Sequence, residues 1–336
     1  MSVQVIKPGL LTTFQDLGRV GYQHLGVPVA GAMDARAHRL ANLLAGNTAD
    51  LATLEITVSG PTLRFDQPAC IAICGADLSP HVRNKPIPLN RPIALKAGSE
   101  LSFGARRHGA RCYLAVFGGF AVPDVLGSAS TYVRSSMGGW HGRALRKDDQ
   151  IELNVSLMSS GLTALSRKLW DIEVYLPAAL ATTPRKTVRI IKSPQWKEFS
   201  PESCAAMITQ PFRISPDSER MGYRLQGPSI VMSEPRQMIS EATSFGTIQV
   251  PSGGQPIVLM ADRQTTGGYP KIANVAAVDL PLLAQMLPGD MLRFEPISLD
   301  HAQALDAKRA TAFHALANQL ESLRLALESH LTSSPT

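Results

Sequence analysis

One apolar run in the C-terminal half of this sequence opens directly onto a dense set of reactive side chains. Pro256–Met260 (PIVLM) leads into ADRQTTGGYPKI, which presents Asp262, Arg263, Gln264, Thr265, Thr266, Gly267, Gly268, Tyr269 and Lys271. An arginine beside glycine N–H groups suits a carbonyl oxygen on which negative charge develops. A carboxylate, phenol or amine close by suits proton transfer. Asp262, Arg263, Tyr269 and Lys271 are therefore the candidate catalytic residues. Gln249, Gln264, Thr265, Thr266, Gly267 and Gly268 are candidates for binding the substrate.

Two further segments have the same character. ERMGYRLQGP carries Arg220 and Arg224 four residues apart around Tyr223, a spacing at which two planar forks could clamp a carboxylate or phosphate. TTFQDLGRVGYQHLGVPVAGAMD places Gln15, Asp16 and Arg19 among glycines, ahead of Asp34. Asp34 stands where a helix N-terminus would offer N–H groups to an anion, and it is itself an expected N-cap.

These side chains must be held by the surrounding elements. Ala37, Leu40, Ala41 and Leu44 recur at i, i+3, i+4, i+7, so a helix is predicted from Asp34 to Ala45, stopped by Gly46. Short strands are predicted at Val3–Ile6, Thr53–Val58, Ala69–Cys74, Cys112–Phe117 and Gln150–Leu153. Further strands are expected at Thr187–Ile191, Thr247–Val250, Pro256–Met260 and Met291–Phe294, with a short helix around Leu280–Met286. Residues 156–186 show no sustained period and read as a linker. Phe313, Leu316, Leu320, Leu323 and Leu327 form one stripe along a helix of roughly thirty residues, either docked on its own domain or open to a second copy. The fold class is mainly β with a few helices. Its expected divisions are residues 1–155, the linker 156–186, residues 187–298, and a C-terminal helix over 299–331.

Several functions are excluded by what surrounds these residues. Of the formal charge of +6, residues 1–160 carry +5, with 16 basic and 11 acidic side chains. The one basic cluster, Arg106, Arg107, His108 and Arg111, has no zinc finger, RNP strand or basic helix beside it, so no nucleic acid is expected. A solvated turn is the first reading of that cluster, and attraction of a small anion is the second. No apolar stretch approaches the ~20 residues of a membrane span. The sequence has no phosphate loop, no G-x-S-x-G elbow, no H-E-x-x-H helix, no dinucleotide turn and no biotin attachment site. Cys70, Cys74, Cys112 and Cys204 have neither disulfide context nor zinc spacing, so buried free thiols, no metal and a cytoplasmic location are expected.

The three polar segments also carry a resemblance. LEIT at Leu54–Thr57, GAD at Gly75–Asp77, YLAVFGGF at Tyr113–Phe120 and VLGSASTY at Val125–Tyr132 support it. So do MGGWHGRAL at Met137–Leu145 and VPSGGQPIVLMADRQTTGGYPKIA at Val250–Ala273. Over residues 6–295 the chain resembles the family known as the 5-oxoprolinase C subunit, KipA, allophanate hydrolase subunit 2 and biotin-dependent carboxyltransferase. The resemblance implies two cyclophilin-like β-barrel domains. It further implies one component of an ATP-dependent complex that opens 5-oxoproline to L-glutamate, working with a KipI-like B subunit and an A subunit. On this reading ATP acts through the complex, no biotin is carried covalently, and the chain is inactive alone. The alternatives are a carboxyltransferase component moving a carboxyl group from carboxybiotin to urea or a similar amide, and a KipA-like regulator of a KipI-like protein.

Overall fold

The computed structural model describes residues 2–172, 174–181, 185–234 and 238–332. They divide into two compact units. One comprises the described residues among 2–18, 34–181 and 311–332, the other those among 19–33 and 185–310.

The first unit contains β1 (Ser2–Lys7), β2 (Leu11–Gln15), α1 (Ala35–Leu44), β3 (Thr53–Thr57), β4 (Thr62–Phe65), β5 (Ala69–Asp77) and β6 (Pro80–Val82). After these come β7 (Lys85–Pro86), β8 (Pro92–Leu95), β9 (Ser99–Phe103), β10 (His108–Val116), β11 (Gln150–Glu152) and α2 (Leu162–Asp171). They build a six-stranded sheet, β11-β1-β4-β9-β6-β7, and a five-stranded sheet, β2-β3-β10-β5-β8. Val5, Leu63, Phe65 and Leu101 of the first sheet meet Phe14, Leu54, Ile56, Ile73 and Leu114 of the second in one apolar core.

Strand alternation puts a different set on the far face of the five-stranded sheet. Gln15 pairs with Thr53, Thr13 with Glu55, and Glu55 with Tyr113, so these side chains share the face opposite Phe14, Leu54 and Leu114. The helix α1 covers that face, with His38 on Thr53 and the Asp34 N–H on the Tyr113 hydroxyl. Asp34 caps the helix by accepting from the Ala37 N–H at 2.8 Å, as its sequence position predicts. Gly46, at φ 84°, follows its end; a Cβ there would lie 2.7 Å from Leu327 Cδ1.

The second unit contains β12 (Thr187–Lys192), α3 (Pro201–Thr209), β13 (Phe212–Ile214), β14 (Gly222–Gln226), β15 (Glu241–Ala242) and β16 (Thr247–Gln249). It continues with β17 (Ile257–Leu259), β18 (Thr266–Gly267), β19 (Lys271–Val275), α4 (Leu280–Ala284) and β20 (Met291–Pro296). Seven strands close a barrel in the order β12-β19-β16-β17-β14-β13-β20, and the parallel pairing of β12 with β20 makes the closure. Val188, Ile190, Ile248, Val258, Ile272 and Phe294 fill it. β15 and β18 form a separate two-stranded ribbon.

Two expectations about the connections change. Residues 156–186 are not a plain linker, because α2 lies within them and buries Leu162, Leu165 and Leu169. These leucines stand at i, i+3 and i+7, a period obscured by the small residues between them. The C-terminal stripe lies on two helices, α5 (Leu299–Gln319) and α6 (Glu321–Glu328), interrupted at Leu320. Phe313, Leu316, Leu320, Leu323 and Leu327 are all buried, and residues 311–332 belong to the first unit rather than to the barrel. The stripe is therefore covered within the chain, which removes the surface that pointed to a homo-oligomer.

Candidate functional site

The site in the second unit begins where β17 ends. The Met260 N–H donates to Met221 O at 3.0 Å and the Asp262 N–H to Arg220 O at 2.9 Å, so the polar loop leaves the barrel alongside residues 220–221. That places the Arg220 and Asp262 side chains together. Arg220 Nε and Nη2 donate to the two Asp262 carboxylate oxygens at 2.9 and 2.8 Å, both residues being buried. Arg220 Nη2 also donates to Gly31 O at 2.7 Å, joining part of the first polar segment to the other two.

This geometry corrects three expectations. Asp262 is held in a two-pronged ion pair and is not a free proton acceptor. Arg220 is its partner and does not form a clamp with Arg224, which points outward and exposed from β14. Tyr223 faces inward from the same strand, packs in the barrel core and donates to Met286 O at 3.4 Å. It is a core residue.

Because Asp262 is taken by Arg220, Arg263 is left without a carboxylate. Its guanidinium lies 5.9 Å from the centre of the Phe245 ring. Nη1 reaches Met260 O and Ala261 O only at 3.5 Å, and the buried Nε has no hydrogen-bond partner. Burial lowers its pKa from the usual arginine value, with Asp262 acting in the opposite direction. The group stays charged, since an arginine starts far above neutrality.

Gln249 supplies a second unused donor. It is 2% exposed at the end of β16, and its Nε2 has no partner. Gly267 lies directly against it; a Cβ there would sit 2.3 Å from Gln249 Nε2 and 2.8 Å from Gln264 Nε2. The absence of a side chain at 267 thus makes room for two amides. Gly268 packs beside Ser240 and Met238 O.

The loop is secured by its own ribbon. Glu241 pairs with Gly267 and Ala242 with Thr266. The Thr243 N–H donates to Thr265 O at 2.9 Å, and its hydroxyl donates to Gln264 O. Lys271 Nζ donates to Glu241 Oε2 and to Ala242 O, both at 2.9 Å. Gln195 and Ser193 hold the Lys271 backbone from the other side. Lys271 therefore fastens the ribbon to β19 instead of serving as a free base. The side chains of Gln264 and Thr266 are exposed, Thr265 is half-buried, and Tyr269 is 48% exposed with no hydrogen-bond partner.

The first polar segment is divided between the units. Arg19 is fully buried in the second unit, where its N–H donates to Val29 O at 2.7 Å. Asp16 and Asp34 lie in the first unit with structural roles. Asp16 accepts from the Gly18 and Ala129 N–H groups and from the Ser128 hydroxyl, each at 2.7 Å, and from the Ser130 hydroxyl. Its carboxylate organises residues 128–130 and is not open to a ligand. Gln15 Nε2 donates to Thr13 Oγ1 and Thr131 O at 3.1 Å, while the buried Oε1 has no partner.

The reading from sequence missed the polar layer under α1. The Thr53 hydroxyl donates to Gln15 O at 3.3 Å, so its oxygen accepts from His38 Nδ1 at 2.9 Å, leaving the buried His38 Nε2 as an unpartnered acceptor. The Tyr113 hydroxyl donates to Glu55 Oε2 at 2.7 Å and accepts from the Asp34 N–H at 2.8 Å. A glutamate between Leu54 and Ile56 was the signal that could have revealed this layer. Among the described residues, no group of three or more His, Cys, Asp or Glu could hold a metal. No described helix is long and apolar enough to cross a membrane.

Residues 25–296 match the carboxyltransferase domain, subdomain A and B. The chain belongs to this family. It is similar to the 5-oxoprolinase C subunit of Escherichia coli, with 36% identity over 319 residues covering 95% of this chain and 98% of that protein. It is 37% identical to the 5-oxoprolinase C subunit of Haemophilus influenzae over 297 residues, covering 88% and 91%. The crystal structure of the K. lactis urea amidolyase superposes with a TM-score of 0.84 at 29% identity over 94% of this chain. Our chain spans only 20% of that much longer protein.

Proposed function

We infer that this chain is the C component of an ATP-dependent 5-oxoprolinase, opening 5-oxoproline to L-glutamate together with a KipI-like B subunit and an A subunit. The observation that carries the chemical role is the release of Arg263 from any carboxylate by the Arg220–Asp262 pair. A lactam is a poor electrophile, and its opening needs donors on the carbonyl oxygen, where charge gathers in the transition state. Arg263 and Gln249 Nε2 are buried donors of that kind. Tyr269 is the group of this loop left to handle the ring nitrogen's proton, since Asp262 and Lys271 are held in ion pairs.

End-to-end similarity to two 5-oxoprolinase C subunits favours this reading over transfer of a carboxyl group. The family description and the likeness to part of a urea amidolyase support the second reading, a carboxyltransferase acting on urea or a similar amide. On the first reading ATP is engaged through the partners, since the sequence has no phosphate loop. No covalent biotin and no metal are required of this chain, and the location is cytoplasmic, in keeping with four free cysteines.

ATP-dependent glutamate formation from 5-oxoproline is the test, with the chain alone and with both partners. The chain alone is expected to be inactive. In the assembled complex, Arg263→Ala removes a charge-assisted hydrogen bond worth ~1.5–3 kcal/mol, a loss of roughly ten- to a hundred-fold in rate. Arg263→Lys recovers little, because a point charge cannot replace a planar fork. A variant that melts several degrees lower yet keeps full specific activity would assign Arg263 to structure, and robust turnover by the isolated chain would remove the need for partners.

A further inference from the structure

The basic cluster picked out in the sequence is not one feature in the fold. Arg111 is buried 3.7 Å from Glu55, whereas Arg106 and Arg107 are exposed on the turn between β9 and β10 and His108 is exposed at the start of β10. That turn borders a cavity of about 540 Å³ in the first unit, lined in part by Arg107, Asp77, His81 and Asn84. The β6–β7 hairpin and the residues after it, His81 and Asn84 together with Pro80, Pro86, Ile87, Pro88 and Leu89, form a mostly apolar wall. The hairpin joining β6 to β7 turns at Arg83 and Asn84, which have φ 49° and 62°. Two consecutive left-handed residues make the tight turn that fixes a two-residue hairpin, so this wall is preformed.

Basic residues predominate on the two segments beside the cavity, Arg83 and Lys85 on the hairpin and Arg106 and Arg107 on the turn, against Asp77 in the lining. Arg107 lies 3.6 Å from Asp77, whose other oxygen caps the Ser79 N–H. Among the described residues, no carboxylate pairs with Arg83, Lys85 or Arg106, all of them exposed. β7 is also the edge of the six-stranded sheet, but Pro86 and Pro88 have no N–H to offer there. An incoming chain cannot add as a regular strand along such an edge. What remains is insertion of side chains into a cavity lined in part by prolines, Ile87 and Leu89, with exposed basic residues on the adjoining turns.

We propose that this cavity docks an acidic segment of a partner protein, an apolar side chain entering between the prolines while carboxylates meet Arg83, Lys85, Arg106 and Arg107. The proposal rests on the reading of this chain as one component of a complex, and charge complementarity identifies the occupant as a protein segment of negative charge. The cavity belongs to the first unit and the Arg263 loop to the second, and docking requires nothing of that loop.

The test uses the intact chain and its KipI-like partner. Affinity is measured by calorimetry at low and high salt, and turnover is measured on the assembled complex at saturating partner. Arg106→Glu/Arg107→Glu should weaken binding by about tenfold and flatten its salt dependence, with turnover at saturation unchanged. Arg167→Glu/Lys168→Glu makes the same change of net charge on the exposed side of α2 and should leave binding as it is. Equal loss from both double variants would reduce the effect to net charge and overturn the docking site, as would unchanged affinity in the first. A complex whose binding follows this pattern, yet which forms no glutamate, would sink the 5-oxoprolinase reading and leave the docking site standing.

Discussion

The polar layer beneath α1 and the polar loop after β17 are made of similar residues, yet only the first leaves buried acceptors unused. In the first unit the carboxylates are occupied: Asp16 accepts four hydrogen bonds, and Glu55 takes the Tyr113 hydroxyl with Arg111 nearby. Among the described residues, the buried acceptors left unpartnered, Gln15 Oε1 and His38 Nε2, lie in this unit, with the Thr131 hydroxyl and with unpartnered donors at Arg36, Arg39 and Arg91 Nε. In the loop of the second unit the one buried carboxylate is occupied as well, and what stays unused is a pair of donors, Gln249 Nε2 and Arg263 Nε. Buried polar groups ordinarily find partners. A residue type therefore says little about role, and the sign of the unsatisfied atom says more: spare donors suit an oxygen that gains charge, spare acceptors an N–H or a water.

The sharpest way to break this comparison is to remove the ion pair that releases Arg263. Asp262→Ala leaves Arg220 charged and buried without its carboxylate, a change that costs about 3–5 kcal/mol in comparable pairs. Thermal melting should fall steeply, and Arg263 should lose its distinct role because Asp262 no longer anchors the loop. Arg224→Ala, four residues beyond Arg220, should change stability by no more than ~0.5 kcal/mol. If the two substitutions cost the same, the structural division between these arginines is wrong.

The acceptor side can be tested by acid. Burial pushes the His38 pKa down from 6.5 to about 4, reinforced by Arg39 and opposed by Asp16, Glu55 and Asp50. Between those two values the unfolded chain takes up a proton that the folded chain refuses. Stability from this group is thus complete above pH 6.5 and declines as the pH falls, with a total loss of about 3 kcal/mol by pH 4. Urea midpoints measured from pH 7 to pH 4 should drop along this limb, and His38→Gln should flatten it by up to one proton. An unchanged slope in the variant would show that His38 is not the buried neutral group the fold makes it.

Much of this arrangement is legible in the amino-acid sequence, though unevenly. α1 is legible because a 3.6 period, an N-cap and a glycine stop all agree, and the main strands are legible from their apolar runs. The orientation of Tyr223 and Arg224 is also available in principle, since Tyr223 and Leu225 alternate with Arg224 along β14 and only one parity can face a barrel core. The pairing of Arg220 with Asp262 is not available, because it joins residues 42 apart and depends on how the chain leaves two neighbouring strands. The same holds for Lys271, whose amine looks reactive in sequence and becomes a fastener only when β15 brings Glu241 to it. The break at Leu320 lies within an unbroken apolar stripe, so periodicity alone could not reveal it.

The smallest expected effect probes how tightly the donor side is shaped. In Gly267→Ala the new Cβ would fall 2.3 Å from Gln249 Nε2, and one of them must move. Gln264 is exposed and can swing aside, but Gln249 is enclosed at the end of β16. Its displacement resembles overpacking of a core position, at about 1–2 kcal/mol. In a Gln249→Ala background the amide is gone and the space is open, so the same substitution should cost little. A double-mutant cycle on melting and on turnover of the complex measures that coupling directly. A coupling near 1 kcal/mol means that Gly267 is small in order to hold the Gln249 donor where it stands. Additive effects would mean that the glycine serves the ribbon of β15 and β18 alone, and the contrast between unused donors and unused acceptors would then rest on Arg263.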